Sequence, residues 1–306
     1  GEAYRALLAR VEMPQSLADT LDALPSGHSL RVDTARRLRA LAEARNAVGD
    51  YLSGVSFGDA GRTLVIEEGL SGPELSVLAV CDGERAVLLP PAQDFKRIGD
   101  GDSGPNTGGM GAYSPVPIVT DDVLSTVMDR FVGPTLAELR RRGIDYRGVL
   151  YAGLMFTADG PKLIEYNVRF GDPETQVVVP RLTNDLAQLL AEAADGRIRS
   201  EPTVSDDAHV TVIAAAEGYP GAPRTGDVIA GLDAVAGLDG VAVYAAGVGS
   251  DPSGRLVTAG GRVLDVCGHG ATIAEARQRA YDALGRISWP GMQFRTDIAG
   301  AASLPS

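Results

Sequence analysis

The sequence has few of the residues that build disulfide frameworks, zinc sites or membrane spans. Its 306 residues include two cysteines and three histidines, a set that disfavours both a zinc site and a disulfide scaffold. Cys81 and Cys267 both lie in apolar runs, so we expect buried free thiols and a cytoplasmic protein. No apolar run is long enough to cross a bilayer and no signal-peptide pattern is visible, so we expect no membrane association.

Basic residues are also in the minority, with 28 Lys and Arg against 40 Asp and Glu and a formal net charge of −12. A nucleic-acid-binding protein would need a basic face, so this class is disfavoured. A phosphate-binding pocket is still compatible with this net charge, because a few basic residues can create a positive electrostatic potential inside a pocket. The remaining composition, 44% hydrophobic and 22% charged, is typical of a globular chain and its length allows two or three domains.

The richest chemical motif is EYNVRFGDPETQ at residues 165–176, which follows the strand-like run 162–164. Side chains alternate between the faces of a strand, so Glu165, Asn167 and Arg169 are predicted to share one face. The opposite, apolar face is predicted to pack in the core and carries Tyr166, Val168 and Phe170. A carboxylate and an amide oxygen suit Mg²⁺, and a guanidinium grips phosphoryl oxygens. The pattern therefore indicates phosphoryl transfer from ATP.

The same stripe also has a simpler interpretation as the solvated face of an edge strand. For so short a motif taken alone, the two interpretations carry roughly equal weight. The Gly-Asp-Pro-Glu stretch that follows ends the strand and adds Asp172 and Glu174 at the same end of the sheet. Since sites in open α/β folds tend to lie at strand ends, these carboxylates favour the functional interpretation.

Hydrophobic periodicity predicts that helices come first and strands follow. Residues 1–52 are predicted to be helical, with the last helix of this part starting near Thr34. A buried strand is predicted at 63–66. Two hairpins are predicted at 75–89 and 149–170, where Asp-Gly pairs form the turns. A long loop is predicted over 93–117.

Helix-start signals and a polar break organise the rest of the chain. Thr120 is predicted to cap a helix that Pro134 kinks, and another helix is predicted over 184–194. The polar stretch 197–207 is predicted to be a domain boundary. After it, the pattern predicts a strand over 210–216 and a helix opened by a capping box at Thr272.

Three loop segments add candidate ligand contacts. The segment 67–74 has backbone groups that can hydrogen-bond to adenine and carboxylates that can bind the ribose hydroxyls. An acidic surface loop is the simpler interpretation of this segment. The run QDFKR at 93–97 places two cations beside an acid and is either a substrate contact or a solvated charge run. The glycine-rich stretch 104–113 lets backbone amides approach an anion, and its Pro105, Asn106 and Tyr113 argue against a plain flexible loop.

Several long motifs, in order along the chain, resemble one family. They are FGDAG at 57–61, the run 104–115, GVLYAGLM at 148–155, the run 165–176, GYPG at 218–221, RTGDVI at 224–229 and GGRVL at 260–264. Together they are similar to the phosphoribosylamine–glycine ligases of the ATP-grasp superfamily. The resemblance runs from about residue 50 to about residue 300.

The resemblance implies an ADP-forming carbon–nitrogen ligase of purine biosynthesis that uses ATP with Mg²⁺ or Mn²⁺. Glycine would be phosphorylated on its carboxylate, and the amine of 5-phosphoribosylamine would attack the acyl phosphate. The implied metal ligands are Glu165 and Asn167, and the implied catalytic residues are Arg169, Asp94 and Lys96. The implied nucleotide contacts are Glu67, Glu68, Leu70, Glu74 and His28. The implied substrate contacts are Asn106, Thr107, Gly108, Gly109, Asp172, Glu174 and Arg262.

Two departures from the family pattern leave an alternative open. The family's separate N-terminal domain has no counterpart in these residues, and its Gly-Lys-Gly phosphate loop is matched by Ser26-Gly27-His28. A histidine is mostly neutral at pH 7 and has a shorter reach than lysine. The chain is therefore a ligase of this type, a ligase with altered substrates, or a catalytically weak homologue that acts as a partner or regulatory subunit.

The expected fold class is α+β, with an ATP-grasp domain followed by a small mixed α/β C-terminal domain. We predict a reduced, mostly helical nucleotide subdomain at 1–62, an ATP-grasp core with the metal and substrate site at 63–198, and the C-terminal domain at 199–306. The expected partners are small molecules, an amino acid and a phosphoribosyl amine, together with a separate chain that supplies the missing N-terminal domain. No nucleic acid is expected as a partner.

Overall fold

The computed structural model describes residues 44–55, 58–63 and 68–304. The chain forms two compact units that divide after Gly69. In the first unit, helix α1 covers 44–52 and a 3₁₀ helix covers Gly58–Arg62. The helical prediction is thus confirmed for 44–52. The helices predicted before residue 44, and residues 64–66 of the predicted strand, lie outside the described residues.

Short strands and helices make up the second unit. In chain order, its strands are β1 (Glu74–Asp82), β2 (Ala86–Leu88), β3 (Gln93–Asp94), β4 (Arg97–Gly99), β5 (Ser103–Asn106), β6 (Gly111–Ser114), β7 (Arg147–Thr157), β8 (Gly160–Asn167), β9 (Ala208–Ala215), β10 (Val241–Ala245), β11 (Val248–Ser250), β12 (Leu256–Thr258) and β13 (Arg262–Gly270). Its helices are α2 (Asp121–Val127), α3 (Gly133–Arg141), α4 (Thr175–Val178), α5 (Leu186–Ala194), α6 (Leu232–Val235) and α7 (Ile273–Leu284).

The first sheet is antiparallel, with the order β2-β1-β7-β8, and it confirms both predicted hairpins. β1 is an inner strand and is buried from Leu75 to Asp82. Because its side chains alternate, Leu75 and Val77 pack in one hydrophobic cluster while Leu78 and Val80 pack in another. The sheet therefore lies between two apolar layers.

The segment 93–117 is not the predicted loop, because it contains four short strands. β4 and β5 form a separate two-stranded hairpin, while β3 and β6 join a five-stranded sheet ordered β10-β13-β9-β6-β3. These strands are two to four residues long and some contain glycine or proline. An alternating pattern cannot be recognised over so few residues. In addition, β6 pairs with β9, about 100 residues further along the chain.

The five-stranded sheet crosses the predicted domain boundary at residue 199. β3 and β6 precede that boundary, whereas β9, β10 and β13 follow it. The stretch around the boundary, between α5 and β9, contains no helix and no named strand. One sheet therefore carries residues from both predicted domains, and the division at residue 199 stays a prediction.

Helix starts follow the predicted capping signals. The backbone N–H of Val123 donates to Thr120 Oγ1 at 3.4 Å, and Glu275 N–H donates to Thr272 Oγ1 at 3.1 Å. The Glu275 carboxylate in turn accepts from the N–H of Ala271. The predicted kink near Pro134 takes the form of a π-helical stretch at Met128–Val132, directly before α3. A proline lacks the N–H of a regular helix, so the turn before it is where the helix adjusts.

Cys81 and Cys267 are free and buried, as the sequence predicts. Burial raises the pKa of both thiols to about 12, so they stay protonated at neutral pH. Among the helices that the structure describes, none has the length and apolar character needed to cross a bilayer.

Candidate active site

One face of the four-stranded sheet gathers polar side chains from three adjacent strands. Ser76 of β1 pairs with Gly153 of β7, which pairs with Glu165 of β8. Tyr151, two residues before Gly153, pairs with Asn167. Register partners and residues two apart share a face of an antiparallel sheet, so these side chains point to the same side. Together with Glu74 at the start of β1, we call this set the polar face.

Gly153 keeps the polar face open at its centre. A Cβ at this position would lie 3.2 Å from Cγ of Glu165. That distance is shorter than an ordinary carbon–carbon contact, so a larger residue would displace the Glu165 side chain. The missing side chain lets the Glu165 carboxylate lie close to β7, between the other polar groups.

Lys96 is held between two carboxylates near the start of β1. Its Nζ lies 2.6 Å from Glu74 Oε2 and 2.8 Å from Asp94 Oδ2. Asp94 reaches this position because Ser76 and Ala92 exchange backbone hydrogen bonds of 2.8 and 3.0 Å just before β3. Burial alone would lower the pKa of Lys96, but Asp94 and Glu74 outweigh burial and raise it. The ammonium group therefore stays charged.

A buried network of two hydroxyls joins Asp94 to Glu174. The Tyr151 hydroxyl donates to Glu174 Oε1 at 2.5 Å and lies 2.7 Å from Ser76 Oγ. Ser76 Oγ also lies 3.1 Å from Glu174 Oε1 and 3.4 Å from Asp94 Oδ1. Burial, with the charge of Asp94 second, raises the pKa of Glu174. The cluster thus has more carboxylates than cations, and burial favours the protonated form of Glu174.

Glu165 and Asn167 present the oxygen atoms that a hard cation prefers. Asn167 Nδ2 donates to Glu165 Oε1 at 3.0 Å, so the two side chains are neighbours on the polar face. The part of the chain that the structure describes has no group of three or more His, Cys, Asp or Glu side chains placed to share a metal. Mg²⁺ takes few protein ligands and keeps several waters, so one carboxylate and one amide oxygen fit it.

The predicted alternation of side chains ends at Asn167, because β8 ends there. Val168 is 74% exposed, so its predicted place in the core is wrong. Tyr166 and Phe170 do pack against buried clusters, as predicted. Arg169 is exposed and its Nη1 donates to the carbonyl oxygen of Phe170 at 2.9 Å. The guanidinium therefore lies beyond the strand end, outside the regular face that Glu165 and Asn167 share.

Arg262 ties the glycine-rich loop to the Asp172 segment. Its Nη1 donates to the carbonyl oxygens of Gly108 at 2.8 Å and Asp172 at 2.9 Å, and its Nη2 lies 2.8 Å from Asp172 Oδ2. Gly109 has a φ of +110°, and a Cβ there would lie 2.4 Å from Cδ of Pro173. Only glycine allows this close approach. Four predicted substrate residues are therefore brought together, with Arg262 as their anchor.

The other two predicted substrate residues of the loop, Asn106 and Thr107, connect β5 to it. Asn106 is exposed and pairs with Arg97 across the β4–β5 hairpin. The N–H and Oγ1 of Thr107 both donate to the carbonyl oxygen of Lys96, at 2.7 and 2.8 Å. The loop is thus fastened directly beside the Lys96 cluster.

The predicted nucleotide contacts are only partly within the described residues. His28 and Glu67 lie outside them. Glu68 is exposed near the end of the first unit, and half-buried Leu70 opens the second. Glu74 is bound to Lys96. Nucleotide binding by these residues stays a prediction.

Sequence reasoning missed Ser76 and Tyr151, which complete the buried network. Both hydroxyls lie in otherwise apolar strand runs, ELSVLAV and GVLYAGL. Buried hydroxyl groups nearly always have hydrogen-bond partners, so a hydroxyl in such a run signals a polar partner across the sheet. The identity of that partner cannot be read from the run itself.

Two family models match the chain. The model described as "Phosphoribosylglycinamide synthetase, ATP-grasp (A) domain" matches residues 22–175. The model described as "Phosphoribosylglycinamide synthetase, C domain" matches residues 209–301.

Curated relatives named phosphoribosylamine–glycine ligase are similar over most of the chain. The enzyme of Caulobacter vibrioides is 51% identical over 266 residues, which are 86% of this chain and 61% of the relative. That of Streptomyces coelicolor is 53% identical over 78% of this chain and 58% of the relative. That of Phenylobacterium zucineum is 45% identical over 98% of this chain and 70% of the relative. The chain spans about three-fifths of the length of the first two of these relatives.

Solved structures agree with the sequence comparisons. The phosphoribosylamine–glycine ligase of Thermotoga maritima superposes with a TM-score of 0.73 at 37% identity, over 84% of this chain and 64% of that one. The biotin carboxylase domain of Hydrogenobacter thermophilus 2-oxoglutarate carboxylase, solved with MgADP, superposes with a TM-score of 0.59 at 17% identity, over 83% of this chain and 53% of that one. The second likeness shows the shared ATP-grasp fold.

Proposed function

The chain belongs to the phosphoribosylglycinamide synthetase family, and from this membership we propose that it is an ADP-forming carbon–nitrogen ligase of purine biosynthesis. In the proposed reaction, a carboxylate oxygen of glycine attacks the γ-phosphorus of ATP and ADP leaves. The amine of 5-phosphoribosylamine then attacks the acyl carbon, phosphate leaves, and the nitrogen loses a proton.

The observation that carries this proposal is the arrangement around Tyr151. Its backbone pairs with Asn167, the neighbour of Glu165, and its hydroxyl donates to Glu174 at 2.5 Å. Tyr151 therefore contacts both groups: its backbone pairs with a candidate metal ligand, and its side chain belongs to the buried carboxylate network. Phosphoryl transfer depends on positioning and charge neutralisation, and this face supplies groups for both.

Each group has a proposed role in that reaction. Glu165 and Asn167 hold Mg²⁺, which supplies charge neutralisation on the phosphates when bound. The Lys96 ammonium, fixed by Glu74 and Asp94, orients an anionic substrate group. Glu174 has a raised pKa and accepts a proton or a hydrogen bond from an amine. Arg169 lies free of the sheet at the end of β8 and contacts the phosphoryl group.

We further propose that residues outside this sequence complete the cleft, on the same or a separate chain. The relatives extend well beyond the matched region, which supports this. We also propose that the protein works in the cytoplasm, since its two buried thiols carry no disulfide.

The test is ADP release by the full-length protein, purified with any chain that completes its cleft, in the presence of Mg²⁺, ATP, glycine and 5-phosphoribosylamine. We expect ADP only when both acid and amine are present, together with an acyl phosphate that hydroxylamine traps. Lys96→Gln should lower kcat/KM by about 10²–10³, because a preorganised charge is lost. Lys162→Gln, which changes the chain's other lysine, is the matched control and should retain activity.

ATP and Mg²⁺ binding should be measured on the same samples by calorimetry. Binding without any substrate-dependent ADP release would overturn the ligase proposal and favour the catalytically weak homologue. Turnover with another amine or acid in place of these substrates would overturn the proposed substrates and leave the ligase chemistry.

A further inference from the structure

The sequence contains three histidines, and the fold brings two of them side by side. His209 on β9 and His269 on β13 are register partners. The backbone N–H of His269 donates to the carbonyl oxygen of Gly240, on the β10 side, so the two histidines face each other without a hydrogen bond between their backbones. Side chains approach most closely at such positions, and here the ring centroids lie 5.2 Å apart. We call these two residues the histidine pair.

The ring nitrogens of the histidine pair have no partner in the part of the protein that the structure describes. The contact that each ring makes there is the stacking contact with the other ring. His209 is 9% exposed, yet its nitrogens are not among the fully enclosed polar atoms that lack a partner, so they stay accessible from the cavity that the residue lines. An accessible imidazole nitrogen without a partner is the commonest kind of metal ligand.

The histidine pair lines a cavity of about 280 Å³, together with Asp207 and Gln176. One water takes up about 30 Å³ of liquid volume, so the cavity has room for an ion with several waters. The Gln176 amide is already engaged, because its Nε2 donates to Asp265 Oδ2 at 2.5 Å and to Asp172 Oδ1 at 3.2 Å. The imidazole nitrogens are therefore the groups of this cavity that are available to bind a metal ion.

Charge alone does not draw a cation into this cavity. Asp207 and Arg181 act on His209 with opposite charges. The Arg181 guanidinium donates to three neutral oxygen atoms, which belong to Ser114, Ser205 and the backbone of Asp207. Affinity for a metal ion must therefore come from coordination by nitrogen. Imidazole nitrogen suits Zn²⁺, Ni²⁺ and Cu²⁺, whereas Mg²⁺ and Ca²⁺ require oxygen ligands.

We propose that the histidine pair is a two-nitrogen site for a divalent transition-metal ion such as Zn²⁺, with waters in the remaining coordination positions. The described part of the chain places no group of three or more His, Cys, Asp or Glu side chains around a common metal position, so the site has two protein ligands. The Cys267 thiol lines the same cavity but donates to Thr211 Oγ1 at 3.0 Å, so it is not a third ligand. The Asp207 carboxylate accepts hydrogen bonds from the bound waters.

The test is a calorimetric titration of Ni²⁺ into the untagged full-length protein, with excess Mg²⁺ present. Mg²⁺ occupies sites built from oxygen atoms, such as the one proposed at Glu165 and Asn167, and leaves imidazole nitrogens free. We expect one Ni²⁺ site per protein molecule that requires the histidine pair, and we expect Zn²⁺ to compete for it. The melting temperature should rise with Ni²⁺ concentration, because the ion binds the folded pair more tightly than the separated histidines.

The first variant is His269→Gln, because His269 is exposed and its loss should leave the fold intact. It should lower the Ni²⁺ affinity at least about tenfold, and so should His209→Gln. The double variant should bind no more weakly than either single variant, because one imidazole alone forms no chelate. His28→Gln, which changes the third histidine of the sequence, is the matched control and should keep the affinity of the parent.

Cu²⁺ gives a readout that a merely structural histidine pair would not produce. Electron paramagnetic resonance of the Cu²⁺-loaded parent should show coupling to two imidazole nitrogens, and the signal of His269→Gln should show fewer. Equal Ni²⁺ affinity in the parent and both single variants, or no saturable Ni²⁺ binding by the parent, would overturn the site. The outcome is independent of ADP release, because neither histidine of the pair has a role in the proposed ligase reaction.

Discussion

Individual side chains at the candidate site are held by charges and hydrogen bonds more than by apolar packing. Lys96 lies between Glu74 and Asp94, and Glu174 is fixed by the hydroxyls of Tyr151 and Ser76. Such groups are positioned by hydrogen bonds and ion pairs to residues on neighbouring strands rather than by the shape of the side chains packed around them. A substitution that keeps the shape and removes the charge should therefore change binding more than it changes the fold.

Glu165→Gln tests the proposed metal site. Glu165 is exposed on the polar face, so the variant should fold normally. If the carboxylate holds Mg²⁺, loss of its charge should weaken Mg²⁺-dependent ATP binding at least about tenfold, which calorimetry at several Mg²⁺ concentrations will show. Asp159→Asn, at the turn of the same hairpin, removes one exposed charge and is the control. Equal affinity in Glu165→Gln and the parent would reject this metal ligand.

His209 is expected to make stability depend on pH. Its ring stacks on His269 with centroids 5.2 Å apart, across the β9–β13 pair. Burial, followed by His269 and Arg181, lowers its pKa from 6.5 to about 4. The unfolded chain takes up a proton below about pH 6.5, and the folded chain does so only near pH 4. Stability should therefore fall across this window as the pH is lowered, by at most about 3 kcal/mol.

The measurement is urea unfolding of the parent and His209→Gln at several pH values between about 7.5 and 4.5. Carboxylates also titrate in this range, so the difference between the two proteins isolates His209. The variant should lose less stability on acidification than the parent. Parallel pH curves would show that His209 binds its proton equally well in the folded and unfolded states.

At the scale of elements, helix ends follow local rules that the sequence already contains. α7 begins after Thr272, whose Oγ1 accepts from Glu275 N–H, and the Glu275 carboxylate accepts from Ala271 N–H. Thr272→Ala should lower the free energy of unfolding by about 1 kcal/mol, because one backbone donor of the first turn loses its partner. Denaturant unfolding measures this, with exposed Thr225→Ala as the control. Identical midpoints for parent and Thr272→Ala would show that water replaces the cap without cost.

Strand ends depend instead on how far two strands stay paired. β8 ends at Asn167, which pairs with Tyr151, and residues 147–150 of β7 pair with β1 alone, although the alternating sequence continues to Phe170. This is why Val168 is exposed and Arg169 leaves the regular face. The alternation of residue types gives the faces of a strand, but the length of a strand is decided by how far its backbone stays paired with a neighbour.

At the scale of the whole molecule, Arg262 joins segments that are distant in sequence. Its guanidinium binds Gly108, about 150 residues earlier, and both the backbone and the carboxylate of Asp172. Arg262→Lys cannot reproduce this fork with a single ammonium group. We expect about 1–3 kcal/mol of lost stability and faster proteolysis in the loop 107–110, between β5 and β6.

The control for this prediction is Arg255→Lys, since Arg255 is mostly exposed and pairs locally with Asp251. Its stability should match that of the parent, because exposed ion pairs contribute little. Unchanged stability and unchanged proteolysis of Arg262→Lys would show that the loop and the Asp172 segment are held together by their packing alone, for example by Gly109 against Pro173.

The amino-acid sequence was enough to predict the family, the α+β class, both hairpins, the capped helices and the face shared by Glu165 and Asn167. Each of these features depends on residues close together in the sequence, or on motifs that occur in the same order as in the family. They can therefore be predicted without the tertiary structure. The tertiary structure alone decided that 93–117 forms strands, that Ser76 and Tyr151 complete the carboxylate network, that Arg262 anchors two loops, and that Gln176 bridges Asp172 and Asp265. These contacts join residues up to about 150 positions apart, and side-chain charges act through space, so their partners are set only when the chain has folded.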